Sequence, residues 1–105
     1  MRIHKTWINE GEIIPHAFDN HNGGMSTNWS KYADAHLTKE QGRIPSNYGV
    51  VDLSVGGVRD IPNQEVDHDP LPKNQAHTNV IGEKDEEARL KLMGISEWAI
   101  HLEPQ

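Results

Sequence analysis

The chain predicts an α+β fold: a small single domain over residues 1–105, built of mostly antiparallel short strands with one clear helix near the C-terminus. Three observations predict it. Short alternating or apolar runs recur between clusters of Gly, Pro, Asn and Asp, which is the pattern of strands joined by turns. Only the stretch from Lys84 to Met93 carries the full charge order of a helix. The chain of 105 residues holds thirty large apolar or aromatic side chains, enough for one modest core.

Residues 2–8 alternate, with Ile3, Lys5 and Trp7 on one side and His4, Thr6 and Ile8 on the other, and are expected to form a first strand. Glu10-Gly11 reads as a tight turn. Ile13-Ile14 is expected to be extended because the residue before Pro15 is pushed out of the helical region. His16-Ala17-Phe18 should continue it toward a polar loop, 19–24. In 25–47, Trp29, Tyr32, Ala33, His36 and Leu37 are spaced to share one helical face, and Thr38 can cap a short turn through Gln41. Three Ser/Thr near the start and Gly42 at the end keep any helix there short.

Tyr48 to Leu53, with Val50 and Val51, reads as a buried strand, and Ser54 can cap one helical turn despite Gly56 and Gly57. Glu65 to Asp69 is a strand stopped by Pro70 and Pro72, which cannot donate to a ladder. Residues 76–81 form another, closed by Gly82. In the 84–93 helix, Asp85, Glu86 and Glu87 suit the dipole, Asp85 with Arg89 and Glu87 with Lys91 are i,i+4 pairs, and Gly94 stands where a left-handed residue would end it. Leu92 and Met93 should point inward, while Arg89 sits awkwardly inside the apolar arc. Trp98, Ile100 and Leu102 alternate with Ala99 and His101 in a closing strand, with Trp98 mainly buried.

Ten basic and sixteen acidic side chains leave a net charge of -6, and no two Lys or Arg are adjacent, which argues against nucleic acid as a partner. The acid concentrates in residues 53–105, which carry ten acidic and five basic side chains. A protein partner there would be basic or neutral. The chain has no cysteine, hence no disulfide, thiolate nucleophile or cysteine-based zinc site. Neither a signal peptide nor the ~18 consecutive apolar residues of a membrane span is found, so the cytoplasm is the expected location and a membrane partner is not expected.

Seven histidines raise the expectation of a site, since imidazole titrates near neutrality and ligates metals. The densest polar chemistry lies between Val66 and Gly82, and the candidate binding residues are His68, Asp69, His77 and Asn79. If the strands flanking the proline loop pair, the imidazoles of His68 and His77 can approach each other with Asp67 or Asp69 nearby. No histidine pair has i,i+4 spacing, so no metal and no cofactor is assigned. Asp19 to Gly24 departs from a calcium loop at His21, Gly23 and Ser30. None of Ser26, Ser30, Ser46, Ser54 and Ser96 sits in a Gly-x-Ser-x-Gly elbow, so serine hydrolase chemistry has no sequence support. Trp7, Trp29 and Trp98 are expected as core and cap residues.

The words Arg2-Ile3-His4, Trp7-Ile8, Ala17-Phe18, Met25-Ser26, His68-Asp69-Pro70-Leu71-Pro72, Ala76-His77-Thr78, Val80, Gly82 and Trp98, spread over most of the chain, resemble a family of small uncharacterised bacterial proteins of unknown function. That resemblance implies one domain and a bacterial origin. Separately, Arg2 or His4 on a first strand, Ser26-Thr27 on a later one and Glu97 near the end resemble the order of cofactor-binding and catalytic residues in ADP-ribosyltransferases, in a chain short for that family. The leading expectation is a small binding or accessory protein without its own catalysis, acting on a protein partner or small ligand. The alternative is a small enzyme or metal-binding protein centred on His68, Asp69 and His77.

Overall fold

Alternation in short strands leaves each with one apolar side to bury, and two small sheets do so against each other and against helices. The computed structural model describes residues 1–21 and 24–102. One antiparallel sheet has the order β1 (Arg2–His4), β5 (Tyr48–Asp52), β8 (Glu97–Ile100); the other has the order β4 (Met25–Asn28), β7 (His77–Ile81), β6 (Glu65–His68). A hairpin of β2 (Ile8–Asn9) and β3 (Glu12–Ile13) stands apart. Three α-helices are described: α1 (Ala35–Glu40), α2 (Val55–Arg59) and α3 (Glu86–Ile95). The α+β architecture is as the sequence predicts.

Ile3 and Val51 of the first sheet meet Met25 and Val80 of the second, with Phe18, Val58 of α2 and Leu92 of α3 completing the core. No helix among the described residues is long and apolar enough to cross a membrane.

Several local expectations change. The single strand over 2–8 is divided, because the His4 ring nitrogen accepts from Thr6 N at 3.1 Å and caps a 3-10 turn over Lys5–Trp7. Glu10 (φ 53°) and Gly11 (φ 81°) then take the two left-handed positions of a two-residue hairpin turn. Pro15–Ala17 is a 3-10 turn rather than extended chain, with proline at a position that needs no N–H, and it drops Ala17 and Phe18 into the core.

The helical face proposed from Trp29 to Leu37 does not form. Met25–Asn28 is instead captured as a strand by β7, Trp29 and Tyr32 remain exposed, and α1 starts only where the Asp34 carboxylate accepts from Leu37 N at 2.8 Å. Ser54 and Asp85 cap α2 and α3 in the same way. Gly94 is not a left-handed terminator: α3 continues through it to Ile95, and Ser96 closes the end, its hydroxyl donating to Met93 O at 2.7 Å. Arg89 leaves the apolar arc by pairing with Asp19 at 3.2 Å. Leu92 is fully buried, whereas Met93 and Trp98 are only half-buried.

The loop before β4 is pinned from the end of β7. Lys84 is buried, and its ammonium donates to Val80 O, Gly82 O and Asn20 Oδ1 at 3.1, 2.8 and 3.0 Å; burial holds its pKa below the ordinary lysine value. Gly82 (φ 133°) is required at this junction, because a Cβ would collide with Asn63 O.

Candidate functional site

Directly opposed residues in a sheet share a face, so register decides which side chains meet. In the second sheet Ser26 opposes Asn79, Asn28 opposes His77 and Asp67 opposes Asn79. That face is polar except for Ile81 at the end of β7. The other face carries Met25, Val80 and Val66, with Thr78 opposite Thr27 and His68. Between the edge strands β1 and β4 lies a cleft of about 390 Å³, reached by Arg2, Trp7, Ser26, Asn28, Tyr48 and His77.

A ring of amides builds its floor. Asn28 Nδ2 donates to Thr38 Oγ1 and Gln41 Oε1 at 3.0 and 2.7 Å, and Asn28 Oδ1 accepts from Asn74 Nδ2 at 2.8 Å. Gln41 Nε2 closes the ring on Asn74 Oδ1 at 3.3 Å. Arg2 joins this floor through Nη1, which donates to Thr38 O at 3.3 Å, and its guanidinium lies 5.7 Å from the centre of the Tyr48 ring. On the opposite wall the Trp7 ring stacks on His21 at 5.0 Å.

The protonation pattern of His77 follows from its partners. Its Nδ1 stands 2.9 Å from the Asp69 backbone carbonyl, which can only accept, so Nδ1 carries the proton. In the neutral ring Nε2 is then the acceptor, and the hydroxyl of Ser26, 3.0 Å away, must donate to it. The Asp69 carboxylate sits 3.6 Å from His77 Nδ1 and is itself held by Asn79 Nδ2 at 3.2 Å. The His77 side chain is only 15% exposed, while Ser26 is open to the cleft.

Asp69, His77 and Asn79 therefore come together on the polar face with Ser26 and Asn28, and Arg2 reaches the same cleft from β1. Arg2 and Ser26 are singled out in the sequence only by the order that resembles ADP-ribosyltransferases, and Asn28 by no site signal there. His68 does not join them. It opposes Thr78, one residue out of step with His77, so the two imidazoles point to opposite faces. His68 stacks on Tyr32 at 5.5 Å, meets Trp29 edge-on at 5.0 Å and donates to Gln75 O at 2.8 Å. Among the described residues no group of three or more His, Cys, Asp or Glu is placed to hold a metal ion. Glu97 opposes Asp52 at the far end of β5 and does not line the cleft.

The chain carries sixteen acidic side chains, yet the described residues reaching this cleft include Arg2, His21 and His77 and no Asp or Glu. Such a lining suits an anion. No protein-family model, curated protein or solved structure matches the chain.

Proposed function

We propose that the protein binds a small anionic ligand with a planar ring, of the nucleotide class, in the cleft between β1 and β4. The observation that carries this reading is that the described residues lining that cleft include no carboxylate, in a chain of net charge -6. A guanidinium with unoccupied N–H groups is the side chain best shaped for a phosphate, and Arg2 makes only one hydrogen bond among the described residues. Trp7, already stacked on His21, and Tyr48, with the Arg2 guanidinium over its ring, give the cleft an aromatic lining, and the amides of the floor are held rigid by one another. The cleft volume lies in the range of about 300–1,000 Å³ usual for small-ligand sites. Arg2 and Ser26-Thr27 reach the same cleft, but His4 and Glu97, which the order resembling ADP-ribosyltransferases also needs, do not, so no transferase activity is proposed. ADP-ribose and NAD, which combine a diphosphate with planar rings, are the first ligands to try. Ligands of this class and a chain without cysteine both fit the cytoplasm.

Isothermal titration with ADP-ribose and with NAD tests the reading. Saturable binding at one site is expected, and Arg2→Gln should weaken it about 10- to 100-fold, the equivalent of losing a charge-assisted hydrogen bond of ~1.5–3 kcal/mol. Absence of binding by either compound at millimolar concentration, or equal affinity in a folded Arg2→Gln variant, would contradict it.

A further inference from the structure

We propose that Ser26 is a nucleophile activated by His77, and that it attacks phosphorus in a phosphoester held in the same cleft. Ser26 Oγ and His77 Nε2 are 3.0 Å apart, within the range for a nucleophile and its base. The direction of that hydrogen bond is settled by the backbone of Asp69, which accepts from Nδ1 at 2.9 Å and leaves Nε2 free to take the hydroxyl proton. A third group is in place too: the Asp69 carboxylate stands 3.6 Å from Nδ1, on the side of the ring away from Ser26. Asn79 fixes that carboxylate. The base is largely covered and the nucleophile is open to the cleft, an arrangement that neither strand pairing nor core packing demands.

Phosphorus is chosen over a carbonyl because the cationic side chain at this cleft is the guanidinium of Arg2, suited to the spread charge of phosphoryl oxygens. This choice of substrate class rests on the anionic-ligand reading above. In the step, a Ser26 Oγ–P bond forms as the hydroxyl proton passes to His77 Nε2. The bond from phosphorus to the leaving oxygen breaks, and the His77 imidazolium returns its proton to that oxygen. Water then attacks the phosphoseryl group with His77 as base, which releases the phosphate product and restores Ser26. The net change is hydrolysis of a phosphoester. His77 and Ser26 are the catalytic residues, and Asp69 is a positioning residue.

A dialkyl fluorophosphate reports the first half of this sequence directly, since Oγ–P forms, P–F breaks and fluoride leaves without needing the natural substrate. The folded, unmodified protein is incubated with the probe and labelled residues are located by tandem mass spectrometry. Label on Ser26 is expected. It should disappear in Ser26→Ala and form about 100-fold or more slowly in His77→Gln, the scale of a lost general base. Asp69→Asn should slow labelling less, because the Asp69 carbonyl that sets the tautomer remains. His77→Asn serves if His77→Gln fails to fold. No label on Ser26 at millimolar probe, label only at other residues, or an equal rate without the His77 imidazole would overturn the proposal. Labelling is read independently of nucleotide titration, so a protein that binds ADP-ribose but stays unlabelled sinks the nucleophile alone. One that labels but binds neither nucleotide sinks the nucleotide class alone.

Discussion

Two clefts meet at Met1, Thr27 and Asn28, with similar volumes of about 390 and about 440 Å³ but different linings. The first holds Arg2, Ser26, His77 and an interlocked ring of amides. The second is walled largely by Leu53, Val55, Val66 and Val80, and Asp52, Arg59 and His68 also reach it. The difference arises within one sheet, because β4 and β7 turn alternate side chains to opposite faces. Volume alone would favour the apolar cleft. Chemistry favours the first for an anion, because Arg2, Ser26 and His77 converge on it with no carboxylate among its described lining residues, whereas Asp52 reaches the second.

The largest expected effect strikes the buried face of the sheet behind the first cleft. Met25 is fully buried opposite Val80, and Met25→Ala should cost about 2–5 kcal/mol of stability in urea denaturation. A cost below 1 kcal/mol, roughly half the low end of that range, would mean that this face does not anchor the two sheets. On the polar side, Asn28→Ala leaves the side chains of Thr38, Gln41 and Asn74 without partners they now have, and should cost about 1–3 kcal/mol while weakening ligand binding. Unchanged affinity in that variant would separate the amide floor from the ligand.

A finer probe moves one wall. The Cβ of Gly42→Ala would come 2.7 Å from the Tyr48 ring and 3.1 Å from Lys39 O, so Tyr48 must shift. Affinity for a stacked ring should fall in the first cleft, with a stability loss toward the low end of the ~1–3 kcal/mol typical of overpacking, as calorimetry and urea denaturation would record. The smallest effect belongs to Lys91→Ala, which removes an exposed i,i+4 pair with Glu87 on α3 and should cost no more than ~0.5 kcal/mol without touching ligand binding.

What the sequence made legible was local. Ser54 announces α2, and Asp85, Glu86 and Glu87 announce α3, because a cap and a dipole act within one turn. The strands β5, β6 and β7 carry their own apolar runs or proline stops. The polar strand β4 was hidden, since Ser26, Thr27 and Asn28 have no strand signature until β7 pairs with them across about fifty residues of chain. The pairing of Ser26 with His77, 51 positions away, has no local signal for the same reason, and Ser26 is singled out in the sequence only by the order resembling ADP-ribosyltransferases, whereas Asp69 and Asn79 lie near enough to His77 in the chain to be grouped with it. His68 was grouped with His77 because both flank one loop. Register, which no local pattern specified here, turns them to opposite faces.

The central claim is that the polar cleft, not its apolar neighbour, receives the ligand, and the most direct measurement is a titration of ADP-ribose into isotope-labelled protein followed by amide and side-chain NMR shifts. The account predicts that the perturbed signals cluster at Arg2, Trp7, Ser26, Tyr48 and His77, and that those of Leu53, Val55 and Val66 stay in place. Shifts concentrated at Leu53, Val55, Val66 and Trp29, with Ser26 and His77 unmoved, would contradict it.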